Sequence, residues 1–301
     1  MPPPPNFLHE NREPGCWAVF ADRKLYFLKN LFVKRTLRRH EWSDLGDNYI
    51  LTPSAALSQR FRTDAAVQQY LRERTNIPLP AFVSAFEDDG AMYLVMEFVQ
   101  GVRMEELSEE DQKIVEKELQ QHVETLKSLR SDTPGVPGEP LMIAPQRVCD
   151  FNWKYHSAWR PRSDVKGDFV FCHNDLGQHN VLVDPKTLKI TAILDWEFGG
   201  FWPEWFERPF WKRRGKSYAL EGEEDDRERC REWLMANCEE VEQQHLPTLD
   251  DKLNSMPAPP KDSGDKLSSH KGAEPTSQKV ESAPACEEVK PAGQTKDELA
   301  I

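Results

Sequence analysis

The stretch that most restricts what this chain can become is residues 168–197, DFVFCHNDLGQHNVLVDPKTLKITAILDWE. A short apolar run, Phe169 to Cys172, leads into the polar loop His173-Asn174-Asp175-Leu176-Gly177-Gln178-His179-Asn180. Two more apolar runs, Val181 to Val183 and Ile190 to Leu194, are separated by Asp184-Pro185-Lys186-Thr187. Turn residues between β-branched runs predict a hairpin. Its second strand ends at Asp195-Trp196-Glu197, so Asp175, Asn180 and Asp195 are expected together at the mouth of one hairpin.

That grouping suits phosphoryl transfer. A hydroxyl attacking a γ-phosphate needs a carboxylate to orient it and take its proton, here Asp175. The phosphates need Mg²⁺, a hard cation that takes oxygen ligands. Asn180 and Asp195 can supply those oxygens from opposite sides of the loop. A lone H-x-D is common, but H-x-D-x(4)-N followed by a hairpin and an apolar strand closed by Asp is the catalytic and metal half of a kinase-like phosphotransferase. A transition-metal site from His173, Asp175 and His179 is the alternative. Asn180 and Asp195 argue for oxygen ligands instead.

CHNDLGQHNVLVD…ILDWE resembles the aminoglycoside phosphotransferase family, in the broad form abundant in fungi. TNIPLP at Thr75–Pro80, LVMEFVQG at Leu94–Gly101 and FWPEWFERPFW at Phe201–Trp211 are also similar to that group, and the resemblance covers roughly residues 45–220. It implies an α+β, bilobal, protein-kinase-like fold: a small sheet lobe, a mostly helical second lobe, and use of ATP with Mg²⁺ on a small-molecule hydroxyl acceptor. It implies that Glu97, Phe98 and Val99 form a hinge whose backbone holds the adenine edge. It puts Asp64 where the family has a Glu, and makes His173 a structural brace for the metal-binding Asp strand.

Composition sets limits. Net charge is −12, which argues against a nucleic-acid partner. No run of 18 apolar residues exists to span a membrane. The six cysteines, at 16, 149, 172, 230, 238 and 286, form no C-x-x-C pair and read as reduced thiols of a cytoplasmic protein. Residues 246–301 hold seven Pro and no Phe, Trp or Tyr, so a disordered tail is expected there.

Taken in order, residues 1–44 read as an N-terminal extension. Leu25, Leu28, Phe32 and Val33 recur at helical spacing and predict a helix near 22–37. Lys29, Lys34, Arg35, Arg38 and Arg39 would form its solvated basic face. Residues 45–100 read as the sheet lobe: a strand at 48–52, a helix at 63–74 capped by Thr63, and strands at 82–86 and 92–99 joined by Glu87-Asp88-Asp89-Gly90. Residues 101–245 read as the second lobe. Ser108 and Asp111 cap a helix over 108–130, with Val115, Leu119, Val123, Leu126 and Leu129 as its buried stripe. A proline-rich loop at 131–147 and a partly helical aromatic stretch at 151–159 follow. Residues 196–211 carry eight aromatics, read as packing rather than as a pocket wall. Residues 221–242 read as a helix anchored by Cys230, Trp233, Leu234 and Val241.

A working nucleotide site pairs a sheet-lobe Lys with an acidic residue of the adjacent helix. No Lys lies between Arg39 and Asp64, where only Arg60 and Arg62 offer a cation, and no G-x-G-x-x-G loop is present. This expectation leaves open a different phosphate anchor or a non-catalytic scaffold. Only about fifty residues separate Asp195 from the tail, so phosphorylation of antibiotics does not follow from the resemblance.

Overall fold

A computed structural model of the chain describes residues 13–44, 50, 51, 56–149 and 158–241. Contacts divide the chain into Met1–Ser255 and Met256–Ile301, and the second unit lies wholly outside the described residues. So do the sequence-based expectations for the tail, Cys286, and Phe151 to Tyr155.

The first lobe is built on β1 (Cys16–Val19), β2 (Arg23–Leu28), β3 (Leu31–Thr36), helix α1 (Leu57–Arg74), β4 (Phe82–Asp88) and β5 (Ala91–Glu97). The strands form one antiparallel sheet in the order β1-β2-β3-β5-β4. The expected helix at 22–37 is therefore a hairpin, and the strands within residues 16–36 of the supposed extension belong to the lobe. Leu25, Leu28, Phe32 and Val33 satisfy a helical period only by coincidence. Leu28 pairs with Leu31 across a two-residue turn, Lys29-Asn30, with Lys29 in the left-handed region at φ 59°.

Strand alternation also reverses the fate of the basic residues. Leu25 faces Lys34 and Arg23 faces Thr36 on one side of the hairpin, whereas Lys24 faces Arg35 on the other. Lys24 and Arg35 are buried rather than solvated. Lys24 Nζ donates to Glu41 Oε1 at 2.7 Å, and Arg35 Nη1 donates to Glu41 Oε2 at 2.6 Å. The turn that carries Glu41 is thereby pinned to the sheet.

Helix α1 begins at Leu57, earlier than Thr63, which is buried in mid-helix and caps nothing. The earlier start follows from packing: Leu57, Phe61 and Ala65 fall on one face and bury against Met92, Leu94 and Met96 of β5. The helix stops at Thr75, whose N–H and Oγ1 both donate to Leu71 O at 2.8 Å, before Pro78 excludes further turns.

The second lobe is organised by α2 (Glu109–Ser128), whose first turn donates Asp111 N–H to Ser108 Oγ at 3.2 Å. Its stripe, Val115, Leu119, Val123 and Leu126, is buried against residues of β7 (Phe169–Cys172), β8 (Val181–Asp184) and β9 (Lys189–Ile193), strands numbered after the short β6 (Val102–Arg103). Among the described residues this half has only one other α-helix, α3 (Arg227–Asn237), with short strands between, so it is less helical than expected. Helix α3 ends before Val241, because Asn237 Nδ2 turns back to Trp233 O at 2.7 Å and Cys238–Val241 pairs as a strand with Ala158–Pro161. Trp196, Phe201, Trp202 and Phe206 are buried, which makes the aromatic run packing. No helix among the described residues is long and apolar enough to cross a membrane.

Glu41 makes a pH prediction possible. Burial works against its charge, but its hydrogen bonds from Arg35, Lys24 and the Arg38 N–H hold the carboxyl well below its ordinary value. A depressed folded-state value contributes stability that is complete above the unfolded carboxylate range and is lost as pH falls below it. Unfolding free energy measured in urea should therefore decline below about pH 4.3, the unfolded Glu value. In Glu41→Gln that decline should be visibly shallower. Parallel pH profiles for the two proteins would remove Glu41 from this role.

Candidate active site

The loop between β7 and β8 is held from behind by its own backbone. His173 Nδ1 accepts the Asp175 N–H at 3.2 Å, so the ring carries its proton on Nε2 and donates to Leu194 O at 2.8 Å. One imidazole thus ties the start of the loop to the residue before Asp195. With both ring nitrogens engaged, His173 has no lone pair for a metal, and the alternative transition-metal set fails on geometry. Asn180 donates through Nδ2 to Asp175 O at 2.8 Å and to Asp175 Oδ2 at 3.1 Å. Its own carbonyl oxygen accepts the Leu194 N–H at 2.8 Å. Asp175, Asn180 and the Asp195 strand end are therefore adjacent. Asn174 and Asp195 both sit at left-handed φ, 70° and 60°. Asn and Asp tolerate that region better than most residues.

Lys34 supplies the cation that the sequence reading did not find. From β3 its Nζ lies 3.0 Å from Asp64 Oδ2 on α1 and also contacts Asp195 Oδ1. Gln68, one turn along α1, donates to the other Asp64 oxygen at 2.8 Å. Lys34 lies before the Arg39–Asp64 stretch, on a strand whose apolar residues also satisfy a helical period. Arg60 and Arg62, the substitutes considered, have other partners: Arg60 binds Glu197 and Arg62 binds Glu87. Two carboxylates share the Lys34 ammonium, and burial separates them. Asp64 is 1% exposed, and burial pushes its carboxyl upward against the pull of Lys34. Asp195 is 41% exposed, and although burial opposes its charge, Lys34 holds it well below the usual carboxylate range. Asp195 is thus firmly ionised, and Lys34 firmly protonated.

Arg23, on the same face of the β2–β3 hairpin as Lys34, reaches Glu197 Oε2 at 3.4 Å, while Arg60 grips the other Glu197 oxygen. Glu197 thereby joins the β1–β2 turn and α1 to the strand end carrying Asp195. The β1–β2 turn reads Phe20-Ala21-Asp22 and carries no glycine.

At the proposed hinge the Phe98 N–H is already taken by Asn30 O at 2.8 Å and the Glu97 N–H by Ala81 O at 2.8 Å. The Phe98 ring packs on Phe27 with centroids 4.0 Å apart. The Val99 N–H meets no acceptor among the described residues.

Two further residues that sequence reasoning missed fix the loop. The buried Glu207 carboxylate accepts the backbone N–H of His173 and, at 3.2 Å, that of Asn174. Arg147 donates to Asn174 O at 3.0 Å and is itself held by Asp226 in a buried ion pair. Burial pushes the Glu207 carboxyl up despite these donors. Cys172, directly before His173, is fully buried, and desolvation raises its thiol well above the ordinary value. Nothing in the local sequence marks Glu207 or Arg147, because each acts on backbone atoms far away in the chain.

A β3 lysine paired with an acid on the adjacent helix, facing a loop with Asp and Asn and a strand closed by Asp, defines a protein-kinase-like fold. The APH phosphotransferase enzyme family matches residues 30–208, more than half of the chain, and the chain belongs to that family. The match begins early enough to include Lys34. A search of curated proteins found no match. Among solved structures, the ADP and hygromycin B complex of a thermostable mutant of aminoglycoside phosphotransferase APH(4)-Ia is similar at 15% identity and TM-score 0.39, covering 62% of this chain and 65% of that one. An aminoglycoside-3′-phosphotransferase of type VIII is similar at 19% identity and TM-score 0.42, covering 64% and 75%. A gentamicin complex of APH(2″)-IIa is similar at 12% identity and TM-score 0.39, covering 62% and 65%. The chain thus spans less than two thirds of the length of the first of these.

Removing the Glu207 carboxylate should loosen the loop. Glu207→Ala orphans two buried amides at about 1–3 kcal/mol each, so urea unfolding should show a loss of roughly 2–6 kcal/mol. A loss below about 1 kcal/mol, within the range of an ordinary surface substitution or little above it, would show that the loop is held by other means.

Proposed function

We propose that this protein transfers the γ-phosphoryl group of ATP to a hydroxyl of a small molecule, with Asp175 as the base. The observation that carries the reading is Lys34, placed between Asp64 and Asp195 beside the Asp175–Asn180 loop. It also removes the reason for preferring a non-catalytic scaffold, which was the apparent lack of that lysine.

The residues fit Mg²⁺. Asn180 spends its amide nitrogen on Asp175, which leaves its side-chain oxygen Oδ1 as the atom to offer a hard cation. Asp195 uses Oδ1 on Lys34 and is partly exposed, so it can offer Oδ2. When bound, the ion would offset phosphate charge. Lys34 is positioned to bind phosphate oxygens, held by Asp64 on its far side. The Val99 N–H is the hinge donor free to meet an adenine edge. Asp175, oriented by Asn180 and by the His173 ring, would receive the acceptor hydroxyl and take its proton as the new bond to phosphorus forms. His179 Nε2 lies 3.9 Å from Asp175 Oδ1, and although burial opposes its protonation, Asp175 raises its pKa. A protonated His179 would place a positive charge beside the Asp175 side chain.

Asp175→Asn separates chemistry from binding. It preserves shape and removes basicity, and positioned general bases contribute about 10²–10⁴-fold in rate. Calorimetry with Mg²⁺·ATP should show unchanged affinity, while ADP release falls by that factor. Undiminished turnover in the mutant would exclude Asp175 as the base. Failure of the parent protein to bind Mg²⁺·ATP would sink the whole reading.

A further inference from the structure

Beside the catalytic loop lies a basic segment that the phosphoryl-transfer machinery does not use. Residues 212–216 read Lys-Arg-Arg-Gly-Lys in a chain whose net charge is −12. The segment is packed onto the loop at both ends. Gln178 Nε2 donates to Trp211 O at 3.0 Å, just before it. Ser217, just after it, stands against Gly177: a β-carbon on Gly177 would lie 3.1 Å from Ser217 Oγ and 2.6 Å from His179 Nδ1. Gly177 is two residues beyond Asp175, and its N–H donates to Asp175 O at 2.9 Å. In the middle, Arg214 Nη2 donates to Leu107 O at 2.9 Å, at the start of α2.

The charges there are not neutralised. Arg213 is, through two bonds to Glu223 at 2.6 and 2.8 Å. Lys212, Arg214 and Lys216 are exposed, and among the described residues none of them is in an ion pair. Of the acids that follow, Glu224 pairs with Arg208, Asp225 with Arg227 and Asp226 with Arg147, while the exposed Glu221 is in no ion pair among the described residues. Across from the segment, Glu105 pairs with Arg103 at 3.7 Å and Glu106 accepts the Arg103 N–H at 3.0 Å. Ser217 Oγ is buried, with no hydrogen-bond partner, beside Gly177 and His179. A buried hydroxyl without a partner is costly unless something polar meets it.

From this geometry we infer that the hydroxyl acceptor carries an anionic group, a phosphate, sulfate or carboxylate, received by Lys212, Arg214 and Lys216 with Ser217 at the base of the site. The inference rests on the phosphotransferase reading for its term acceptor, but the charge preference can be measured without turnover. Three exposed cations without ion pairs, in one five-residue segment beside the loop, repel a polycationic acceptor and concentrate an anionic one.

The test uses the full chain and four probes: glucose, glucose 6-phosphate, glucuronate and gentamicin. Binding is followed by ligand-observed NMR with and without Mg²⁺·ATP, and ADP release is followed in parallel. Glucose 6-phosphate or glucuronate should bind more tightly than glucose, and the advantage should shrink with added salt. In the triple variant Lys212→Glu, Arg214→Glu, Lys216→Glu the advantage should fall by roughly three- to a hundredfold, the range three exposed charge pairs can supply. Lys189→Glu, at the exposed start of the hairpin return strand, changes net charge by only a third as much as the triple variant and should leave the preference intact. Gentamicin binding as well as or better than the anionic sugars would overturn the inference, as would anionic binding that survives the triple reversal or no anionic binding at all. Absent ADP release with every probe would instead count against the phosphotransferase reading, and the binding ranks would still decide the charge.

Discussion

Lys34 is the residue on which the rest of the site depends. Its ammonium is buried, and an isolated charge in such a place would be strongly destabilising. It is tolerated because Asp64 and Asp195 stand on either side, one on helix α1 and one at the end of the β9 strand. The interaction joins the sheet, the helix and the chain end of β9 through a single nitrogen. Its worth is more positional than energetic, because desolvation of buried pairs cancels much of their attraction. Glu197 repeats the same linkage two residues on, with Arg23 and Arg60 as its cations. The two lobes therefore meet through carboxylates two apart on one strand end.

Most of this was partly legible in the sequence, and the division follows sequence separation. The β7–β8 loop could be read because its geometry is local: an apolar strand, a polar loop, a turn with Pro185 and a second apolar strand constrain one another within thirty residues. The α2 stripe and its Ser108 cap were readable for the same reason. The β2–β3 hairpin was not. Its Lys29-Asn30 turn has no glycine or proline, and its apolar residues satisfy two periods at once. Only the pairing of β3 with β5, more than fifty residues away, decides between them. That misreading hid Lys34, because a lysine in a supposed solvated helix face gives no reason to look for an acid on another element. Thr63 and Val241 failed differently: each has the right residue type for the role assigned, but burial of Leu57 and the pairing of Val241 with Ala158 outweighed local preference.

Glu207 and Arg147 show a third kind of concealment. They touch neither the proposed base nor the proposed metal ligands, and they hold main-chain atoms of His173 and Asn174 from two distant segments. Backbone atoms are the same for every residue, so no pattern in the loop calls for these partners. Only the folded arrangement, with Asn174 in the left-handed region, shows why the loop requires acceptors on one side and a donor on the other.

The burial of Cys172 bears on how the protein would respond to oxidants. Reaction with peroxide or alkylating agents proceeds through the thiolate. At Cys172 that form is suppressed by desolvation, and the sulfur is further occupied with Val170 O at 3.7 Å. The thiol that directly precedes the β7–β8 loop is therefore chemically quiet while the fold is intact. Labelling at this position would report opening of the second lobe, which makes Cys172 a built-in reporter of local unfolding.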